Sequence, residues 1–197
     1  MEIIETILVK IKNEEFKIEN YFYHLNRVKN TCKYYRWKFD EKEWKNLKNE
    51  KLQVKNENLR IRVIYNYNGI KNIEYFPVKK RKFKTFKVVN SNINYHFKYA
   101  KRENLNSLKP KNVDEIIIIK NNLVTDTTIS NLAFFDGKEW LTPKYPLLKG
   151  TKREELIQKG FLKEANIHKY DLKYFKKMAM INAILEFYEI KDYDIIF

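Results

Sequence analysis

The spacing of hydrophobic and polar residues predicts a mixture of strands and helices in the first part of the chain. An apolar run predicts a strand over residues 3–12, and a shorter run predicts a strand or its entry over 15–17. Helical spacing predicts a helix over 21–35, and its inward stripe consists of Tyr21, His24, Leu25, Val28 and Cys32. This part of the chain is therefore predicted to be an α+β unit.

The predicted unit continues with a second helix and two paired strands. The helix is amphipathic and covers residues 40–52, with three inward apolar residues, Trp44, Leu47 and Leu52. The strands cover residues 58–66 and 73–78, and the pair Asn68-Gly69 predicts a hairpin turn between them.

The pattern changes character around residue 90. The run 90–95 contains turn-forming residues and little apolar content, which predicts a linker. The elements predicted after it are a short helix over 97–108, a break at Pro110, a strand over 113–120, a helix headed by Gly150-Thr151, and a strand or short helix over 171–190. Four consecutive isoleucines in the strand over 113–120 indicate burial on both faces.

Residues 121–143 combine three short predicted strands with a dense polar cluster. The cluster lies between the first two strands and comprises Thr125, Asp126, Thr127, Thr128, Ser130 and Asn131. An Asp136-Gly137 turn separates the second strand from the third. The simplest interpretation of the cluster is a loop whose hydroxyls satisfy its own backbone.

Composition limits the class of protein. The chain has 197 residues, of which 44% are hydrophobic, so it can bury one large core or two modest ones. A single cysteine, Cys32, excludes a disulfide framework and a cysteine-based metal cluster and fits a reducing compartment. The sequence shows no signal-peptide pattern and no apolar run of about 20 residues, so we expect a cytoplasmic protein that does not enter membranes.

The net charge of +15 raises the possibility of nucleic-acid binding. The basic residues are mostly lysines and accompany many Asn, Ile and Tyr residues, which is the set expected from an AT-rich genome. The densest basic run, 77–87, alternates with apolar residues and predicts a half-buried strand with one hydrated face. We therefore expect the charge to attract anionic metabolites, and we keep nucleic-acid binding as a second alternative.

Several catalytic motifs are absent from the sequence. The histidines at positions 24, 96 and 168 form neither HxxxH nor HExxH, so we expect no metal site. The sequence has no GxSxG nucleophile elbow, and Gly150-Thr151 lacks the upstream glycine of a phosphate-binding Walker loop. An arginine on the first helix, lysines near the linker, the acid in the polar cluster and the Gly-Thr helix start remain.

Two segments resemble the class IV aminotransferases, the fold-type IV enzymes that use pyridoxal phosphate. The segment ETILVKIKNEEFKIENYFYHLNRVKNT (5–31) resembles the family's E-T-I-like strand and its helix with H-x-x-R. The segment DEIIIIKNNLVTDTTISNLAFFDGKEWLTPKYPLLKGTKREELI (114–157) resembles an apolar strand, T-E-G-S-x-S-N, a second strand, T-P and a helix opened by G-I-x-R. These elements follow one another in the family's order along nearly the whole chain.

The resemblance implies an α+β architecture with a D-amino-acid aminotransferase-like fold. A small N-terminal α+β domain is expected over 1–89, a linker over 90–95, and a larger β-barrel-like domain with flanking helices over 96–197. It also implies pyridoxal 5'-phosphate as cofactor, a small-molecule substrate (an amino acid or aminodeoxychorismate) and a homodimer.

The resemblance also assigns the catalytic residues. Lys98, just after the linker, is implied to form the Schiff base with the cofactor, with Lys101 as the second choice. Asp126 takes the place of the family's glutamate facing the pyridine nitrogen, where a carboxylate favours the protonated ring. Thr6 aligns with a threonine that the lyases use near the reacting carbon.

The remaining implied cofactor contacts concern the phosphate. A helix start offers N–H groups without intrahelical partners and the positive end of a dipole. The residues implied at this end of the cofactor are Arg27, Thr127, Thr128, Ser130, Asn131, Thr151 and Lys152. Thr127 stands where the family has glycine, so the implied approach of the backbone to the cofactor departs from the family pattern at this residue. Arg60, Arg62 and Lys87 are unranked candidates for the substrate carboxylates.

Two reactions fit the resemblance. An aminodeoxychorismate lyase, acting in folate biosynthesis, eliminates pyruvate and forms 4-aminobenzoate. A transaminase acting on branched-chain or D-amino acids carries an amino group to a keto acid. Thr6 favours the lyase, although a β-branched residue in a strand needs no functional reason. A relative that binds the cofactor without turnover is a further alternative.

Overall fold

The structure, a computed structural model, describes residues 1–12, 15–47 and 58–197. The chain forms two compact units. The first unit comprises Met1–Lys80 and Phe97–Lys101, and the second comprises Arg81–His96 and Arg102–Phe197. The chain therefore passes from the first unit to the second twice.

The first unit contains an antiparallel sheet with the strand order β2-β1-β3-β4. Its strands are β1 (Ile3–Lys12), β2 (Glu15–Ile18), β3 (Leu59–Asn66) and β4 (Gly69–Pro77). Along β3, buried and half-buried residues alternate, so one face of the sheet belongs to the core. Helices α1 (Tyr21–Tyr35) and α2 (Glu41–Asn46) contribute to the same core, with Leu25, Val28 and Trp44.

The predicted elements of this unit are confirmed where the structure describes them. Residues three and four apart make the inner stripe of α1. It includes the buried apolar residues Leu25, Val28 and Cys32 and the buried polar residue His24. Asp40 begins α2 by accepting a hydrogen bond from the N–H of Lys42. The predicted inward position of Leu52 lies outside the described residues.

The helix predicted over 97–108 is wrong for most of its length. Within the first unit, residues 98–100 run beside β1: the N–H of Ile4 donates to the carbonyl of Lys98, and the N–H of Ala100 donates to the carbonyl of Glu2. Of the predicted range, only Glu103–Asn106 forms a helix, α3, which belongs to the second unit. The backbone of β1 holds the segment through one isolated bridge, which a pattern of side chains cannot reveal.

The second unit contains two sheets, with strand orders β13-β5-β6-β7 and β10-β9-β8-β11-β12. The strands are β5 (Thr85–Asn90), β6 (Glu115–Lys120), β7 (Leu123–Val124), β8 (Asn131–Phe135), β9 (Trp140–Pro143), β10 (Leu162–Ala165), β11 (Lys177–Asn182), β12 (Glu186–Ile190) and β13 (Asp194–Ile196). Helix α4 covers Thr151–Gln158, and a 3₁₀ helix covers Lys169–Tyr174. The burial predicted for the four isoleucines of β6 is confirmed.

The predicted boundary at 90–95 differs from the division between the compact units. Strand β5 groups with the second unit because it pairs in parallel with β6, with Phe86 opposite Glu115 and Asn90 opposite Ile119. Since β5 and β6 are separated by a long stretch of chain, the pairing leaves no local signal in either sequence. The functional domains 1–89 and 96–197 stay a prediction.

Two other segments refine the sequence predictions. The strand expected over 77–87 is wrong for residues 78–84, which carry no regular structure and precede β5. The undecided segment 171–190 contains the paired strands β11 and β12. Among the helices in the described ranges, none combines the length and the apolar character that crossing a membrane requires.

Candidate active site

Lys98 lies beside β1, next to the part of the strand that carries Thr6. Tyr99 forms an antiparallel bridge with Ile3, which puts Lys98 opposite Ile4, two residues before Thr6. After burial, the charge of Lys98 is among the causes that lower the pKa of His24, on the side of β1 that carries Glu5. The hydroxyl of Tyr99 is 3.0 Å from that of Tyr35 on α1.

Arg62 is the arginine next to Thr6 in the sheet. It lies directly opposite Thr6 on the neighbouring strand β3. Its Nη1 donates to Oε2 of Glu74 at 2.9 Å. Arg60 lies two pairs further along, opposite Leu8, and its guanidinium carbon is 4.5 Å from the centre of the Phe76 ring. Of the two arginines, Arg62 is therefore the closer to Thr6.

Arg27 is held by a buried carboxylate on the core face of β1. Its Nε donates to Oε1 of Glu5 at 2.9 Å, and its Nη2 donates to Oε2 at 2.6 Å. His24, one helical turn before Arg27, places Nδ1 2.6 Å from the same Oε2. Glu5 is fully buried and Arg27 is only partly exposed, so the two-point pairing fixes the plane of the guanidinium.

The protonation states of this cluster follow from its contacts. Burial alone would raise the pKa of Glu5, but the charge of Arg27 and the hydrogen bond from His24 outweigh it and lower that pKa to about 2. Burial lowers the pKa of His24 despite its hydrogen bond to Glu5. We therefore assign an ionised Glu5, a charged Arg27 and a neutral His24 that donates from Nδ1.

Asp126, in the second unit, is buried with both carboxyl oxygens occupied. Oδ1 accepts from Nδ2 of Asn131 at 2.7 Å, and Oδ2 accepts from the N–H of Leu148 at 2.9 Å. Burial raises the pKa of Asp126 to about 7, although these two hydrogen bonds and the charge of Arg153 act to lower it. The side chain can therefore change its protonation state near neutral pH.

The hydroxyls of the polar cluster have partners inside the second unit. Thr125 donates to the carbonyl of Ile118 at 2.8 Å. The hydroxyl of Thr127 accepts from the N–H groups of Ile129 and Ser130, at 3.1 and 2.9 Å, and lies 2.9 Å from the hydroxyl of Ser130. This arrangement matches the simple interpretation of a loop that satisfies its own backbone.

Thr128 is bound to an acid outside the polar cluster, Glu115. Its hydroxyl donates to Oε1 of Glu115 at 2.6 Å, and its N–H donates to Oε2 at 2.9 Å. The carbonyl of Thr128 accepts from Nη2 of Arg102. Because these contacts use the hydroxyl proton, a contact between Thr128 and a phosphate stays a proposal.

Helix α4 begins without a side-chain cap. The residue before it, Gly150, is extended, and its carbonyl accepts the first helical hydrogen bond, from the N–H of Glu154 at 3.0 Å. The N–H groups of residues 151–153 thus precede the first hydrogen-bonded donor of the helix. The ammonium group of Lys152 lies 2.9 Å from Glu155 and 3.7 Å from Glu186.

Four polar residues with extensive contacts were given no role from the sequence. Glu5 belongs to the E-T-I motif and His24 to the H-x-x-R motif of residues 5–31. The signal for their role was a polar residue at a buried position, in a strand for Glu5 and in the inward stripe of a helix for His24. Glu115 is an acid beside four buried isoleucines. Arg153 is buried at the G-x-x-R position that opens α4. In each case a charged group at an apolar position indicates a specific partner.

The predicted site residues are distributed over both units. Thr6, Arg27, Lys98 and Lys101 belong to the first unit, in which Lys98 lies opposite a residue two positions from Thr6. Asp126, Thr127, Thr128, Ser130, Asn131, Thr151 and Lys152 belong to the second unit. Within that unit, Asp126 and Asn131 are in direct contact, and Asn131 reaches the loop that leads into α4.

A profile of one protein family matches this sequence over residues 2–193, and its description is amino-transferase class IV. The chain belongs to the class IV aminotransferase family. It is thereby a pyridoxal-phosphate-dependent aminotransferase or lyase of that class. An uncharacterized protein of Haemophilus influenzae is 40% identical over 134 residues, which are 66% of this chain and 71% of that protein.

Solved structures of the family share the fold. A candidate 4-amino-4-deoxychorismate lyase from Haemophilus somnus has a TM-score of 0.81 and 30% identity, covering 93% of this chain and 96% of that one. The branched-chain aminotransferase from Thermoproteus uzoniensis has a TM-score of 0.80 and 17% identity, covering 98% of this chain and 78% of that one. The α+β, aminotransferase-like fold expected from the sequence is confirmed.

Proposed function

We propose that this class IV enzyme is 4-amino-4-deoxychorismate lyase-like and that it acts through Lys98. The observation that carries the proposal is the position of Lys98 beside β1, opposite the residue two before Thr6, because lyases of the family use a threonine near the reacting carbon. The 30% identity to a candidate lyase from Haemophilus somnus supports the same choice.

The residues present suit pyridoxal phosphate in their chemistry. Lys98 would bind its aldehyde carbon, and Asp126, buried with a raised pKa, would face its ring nitrogen. The phosphate would be held by a guanidinium and by N–H groups at a helix start, from Arg27, Thr151 and Lys152. When bound, the cofactor accepts the electron pair left when a bond at the substrate carbon breaks.

The lyase reaction moves one proton and breaks one bond to the leaving group. Once the substrate's amine has displaced it from the cofactor, Nζ of Lys98 would take the proton from the ring carbon that bears the amino group. The bond between the adjacent ring carbon and the ether oxygen then breaks, the departing enolpyruvate takes up one proton to become pyruvate, and the ring becomes aromatic 4-aminobenzoate. Thr6 would hold its hydroxyl beside the reacting carbon, and Asp126 would keep positive charge at the ring nitrogen.

Arg62 would bind a carboxylate of the substrate. It lies opposite Thr6, and its current partner Glu74 is a half-exposed carboxylate that a substrate carboxylate could replace. An Arg62→Gln variant is expected to raise KM about tenfold with little change in kcat, whereas Arg60→Gln, two residues along the same strand, serves as the matched control. Equal KM values for the two variants would assign the carboxylate elsewhere.

The same residues could support transamination of branched-chain or D-amino acids. Lys98 would then return the proton to the cofactor in place of expelling a leaving group. The likeness to the Thermoproteus uzoniensis aminotransferase concerns the fold alone, so Thr6 is the feature that favours the lyase. The homodimer, the cytoplasmic location and the role in folate biosynthesis stay predictions from the resemblance, and nucleic-acid binding stays the second alternative.

One set of assays separates these functions. The purified protein, loaded with pyridoxal phosphate, is given aminodeoxychorismate, a branched-chain amino acid with a keto acid, or D-alanine with a keto acid. We expect 4-aminobenzoate and pyruvate from the first substrate and little product from the others. A protein that is colourless after loading, and that is retained on nucleic acid until the salt concentration rises, would instead support the binding protein.

Two lysine variants test the assignment of Lys98. Lys98→Ala should abolish turnover and the visible absorbance of covalently bound cofactor. Lys101→Ala, which changes an exposed lysine in the same segment, should leave both intact. A yellow, active Lys98→Ala protein would rule out this site. A coloured wild-type protein that turns over none of the substrates would favour a cofactor carrier.

A further inference from the structure

Asn131 connects the acid of the second unit to the loop that enters α4. Its Nδ2 donates to Oδ1 of Asp126 at 2.7 Å and to the carbonyl of Leu148 at 2.8 Å. The N–H of Leu148 closes the ring of contacts by donating to Oδ2 of Asp126 at 2.9 Å. Three hydrogen bonds thus join two side chains and one loop residue, and both side chains are buried.

Gly150 leaves the space that Asn131 occupies. A Cβ atom at position 150 would lie 2.0 Å from Oδ1 of Asn131, far inside the contact distance of carbon and oxygen. The backbone of Gly150, with φ −73° and ψ 142°, suits any residue. Glycine is therefore needed here for the approach of Asn131 and not for an unusual backbone conformation.

We propose that Asn131 is a positioning residue that makes the orientation of the Asp126 carboxyl depend on the position of residues 148–150. This inference rests on the proposed function, in which Asp126 faces the cofactor ring and the start of α4 holds its phosphate. A shift at the helix start would then reach Asp126 through a single amide group. In this role Asn131 acts through Asp126, in place of the direct cofactor contact that the resemblance implied.

The chemistry of the amide explains why asparagine is suited to the task. One NH2 group supplies two protons, one for the carboxylate and one for the carbonyl of Leu148. An aspartate at 131 has no proton for either acceptor when ionised, and it would place a second negative charge beside Asp126. An alanine removes both donors and leaves the carboxylate with the backbone N–H groups of Leu148 and Leu147.

The first test compares Asn131→Ala with a control variant, Thr125→Val. The control deletes a different buried hydrogen bond of the same loop, from the Thr125 hydroxyl to a backbone carbonyl. The affinities for pyridoxal phosphate and for pyridoxal, which lacks the phosphate, are measured by absorbance titration. Loss of a hydrogen bond to a charged group should weaken pyridoxal about tenfold in Asn131→Ala. Pyridoxal phosphate should weaken further, because the helix start is released as well. The Thr125→Val protein should match the wild type.

The second test needs no cofactor and follows the titration of Asp126 itself. Because burial raises the folded-state pKa of Asp126 to about 7, its protonated form stabilises the fold, and this stability is lost as pH rises through that value. Asn131→Ala removes a donor to the ionised form, so the pH step in urea unfolding should move to higher pH. An Asp126→Asn protein has no carboxyl group to titrate at this position, so the pH step that it lacks is the one caused by Asp126.

A further variant keeps the inference testable if Asn131→Ala does not fold. In Gly150→Ala, the added Cβ would clash with Oδ1 of Asn131 and push its amide away from Asp126. This variant should therefore move the pH step in the same direction as Asn131→Ala. Unchanged cofactor affinities together with an unchanged pH step in both variants would overturn the inference. A wild-type protein that binds no pyridoxal phosphate, but whose pH step moves as expected, would count against the proposed function and leave the positioning role standing.

Discussion

Glu5 shows how one buried charge is made stable. Two donors of Arg27 and one of His24 face its carboxylate, which has no exposure to solvent. Replacing Glu5 with Gln leaves Arg27 without its counter-ion, and we expect a loss of about 3 kcal/mol in the free energy of unfolding at pH 7. Glu74→Gln, which breaks a half-exposed pair with Arg62, should cost less than about 1 kcal/mol.

The pH dependence of the same variant has a definite sign. The pKa of Glu5 is depressed from 4.5 to about 2 in the folded state, so its stabilisation is complete above pH 4.5 and is lost as pH falls toward 2. Urea unfolding of Glu5→Gln between these values should lack the part of the decline that Glu5 causes. An unchanged acid profile would mean that Glu5 is not ionised in the fold.

At the residue scale, the sequence identified positions better than contacts. The polar cluster of 125–131 was visible as a group, and Asp126 and Asn131 are in direct contact. The partners of the cluster were not predictable, because Leu148 and Glu115 lie far from it along the chain and no local pattern records such contacts. Thr128 illustrates this limit, since its hydroxyl is bound by Glu115 at the start of a strand thirteen residues earlier.

At the scale of elements, Arg153 joins helix α4 to two strands. Its Nη2 donates to the carbonyl of Pro143 on β9 and to Glu164 on β10, each at 2.7 Å. Arg153→Met keeps much of the volume and removes both of these bonds together with the 3.3 Å bond from Nε to the Thr142 hydroxyl, so we expect a loss of about 3 kcal/mol in urea unfolding and faster amide exchange in α4.

The matched control for Arg153→Met is Glu164→Gln. The side chain of Glu164 is 43% exposed, so water can replace much of its interaction with Arg153, and the cost should stay below about 1 kcal/mol. If both variants cost the same, the ion pair with Glu164, and not the contact with the Pro143 carbonyl, would account for the role of Arg153.

Elements with a strong local pattern were predicted correctly, and elements whose conformation depends on pairing with a distant strand were not. The isoleucine run of β6 and the helix α1 each carry their own periodicity. The segment 97–101 has none that distinguishes helix from strand, and its conformation is set by hydrogen bonds to Glu2 and Ile4. Strand β13 is a similar case, because its three residues pair in parallel with β5, far away in the sequence.

At the scale of the whole molecule, family order was recognisable while the division into compact units was not. The two resembling segments suffice to identify the family, because their motifs follow one another along nearly the whole chain. Residues 81–96 group with the second unit because β5 pairs with β6. Residues 97–101 group with the first unit because 98–100 run beside β1. Such an exchange depends on two distant pairings and not on the composition of a linker.

The net charge of +15 leads to a prediction about cofactor uptake. A strongly positive protein attracts an anion over about 10 Å at 0.1 M salt, and added salt shortens that range. The visible band that forms when protein without cofactor is mixed with pyridoxal phosphate should therefore appear about tenfold more slowly at 0.5 M than at 0.02 M sodium chloride. Pyridoxal, which lacks the phosphate charge, is the control and should show little salt dependence. Equal salt dependence for both compounds would mean that long-range attraction of the phosphate does not govern uptake, and that the excess lysine has no role in it.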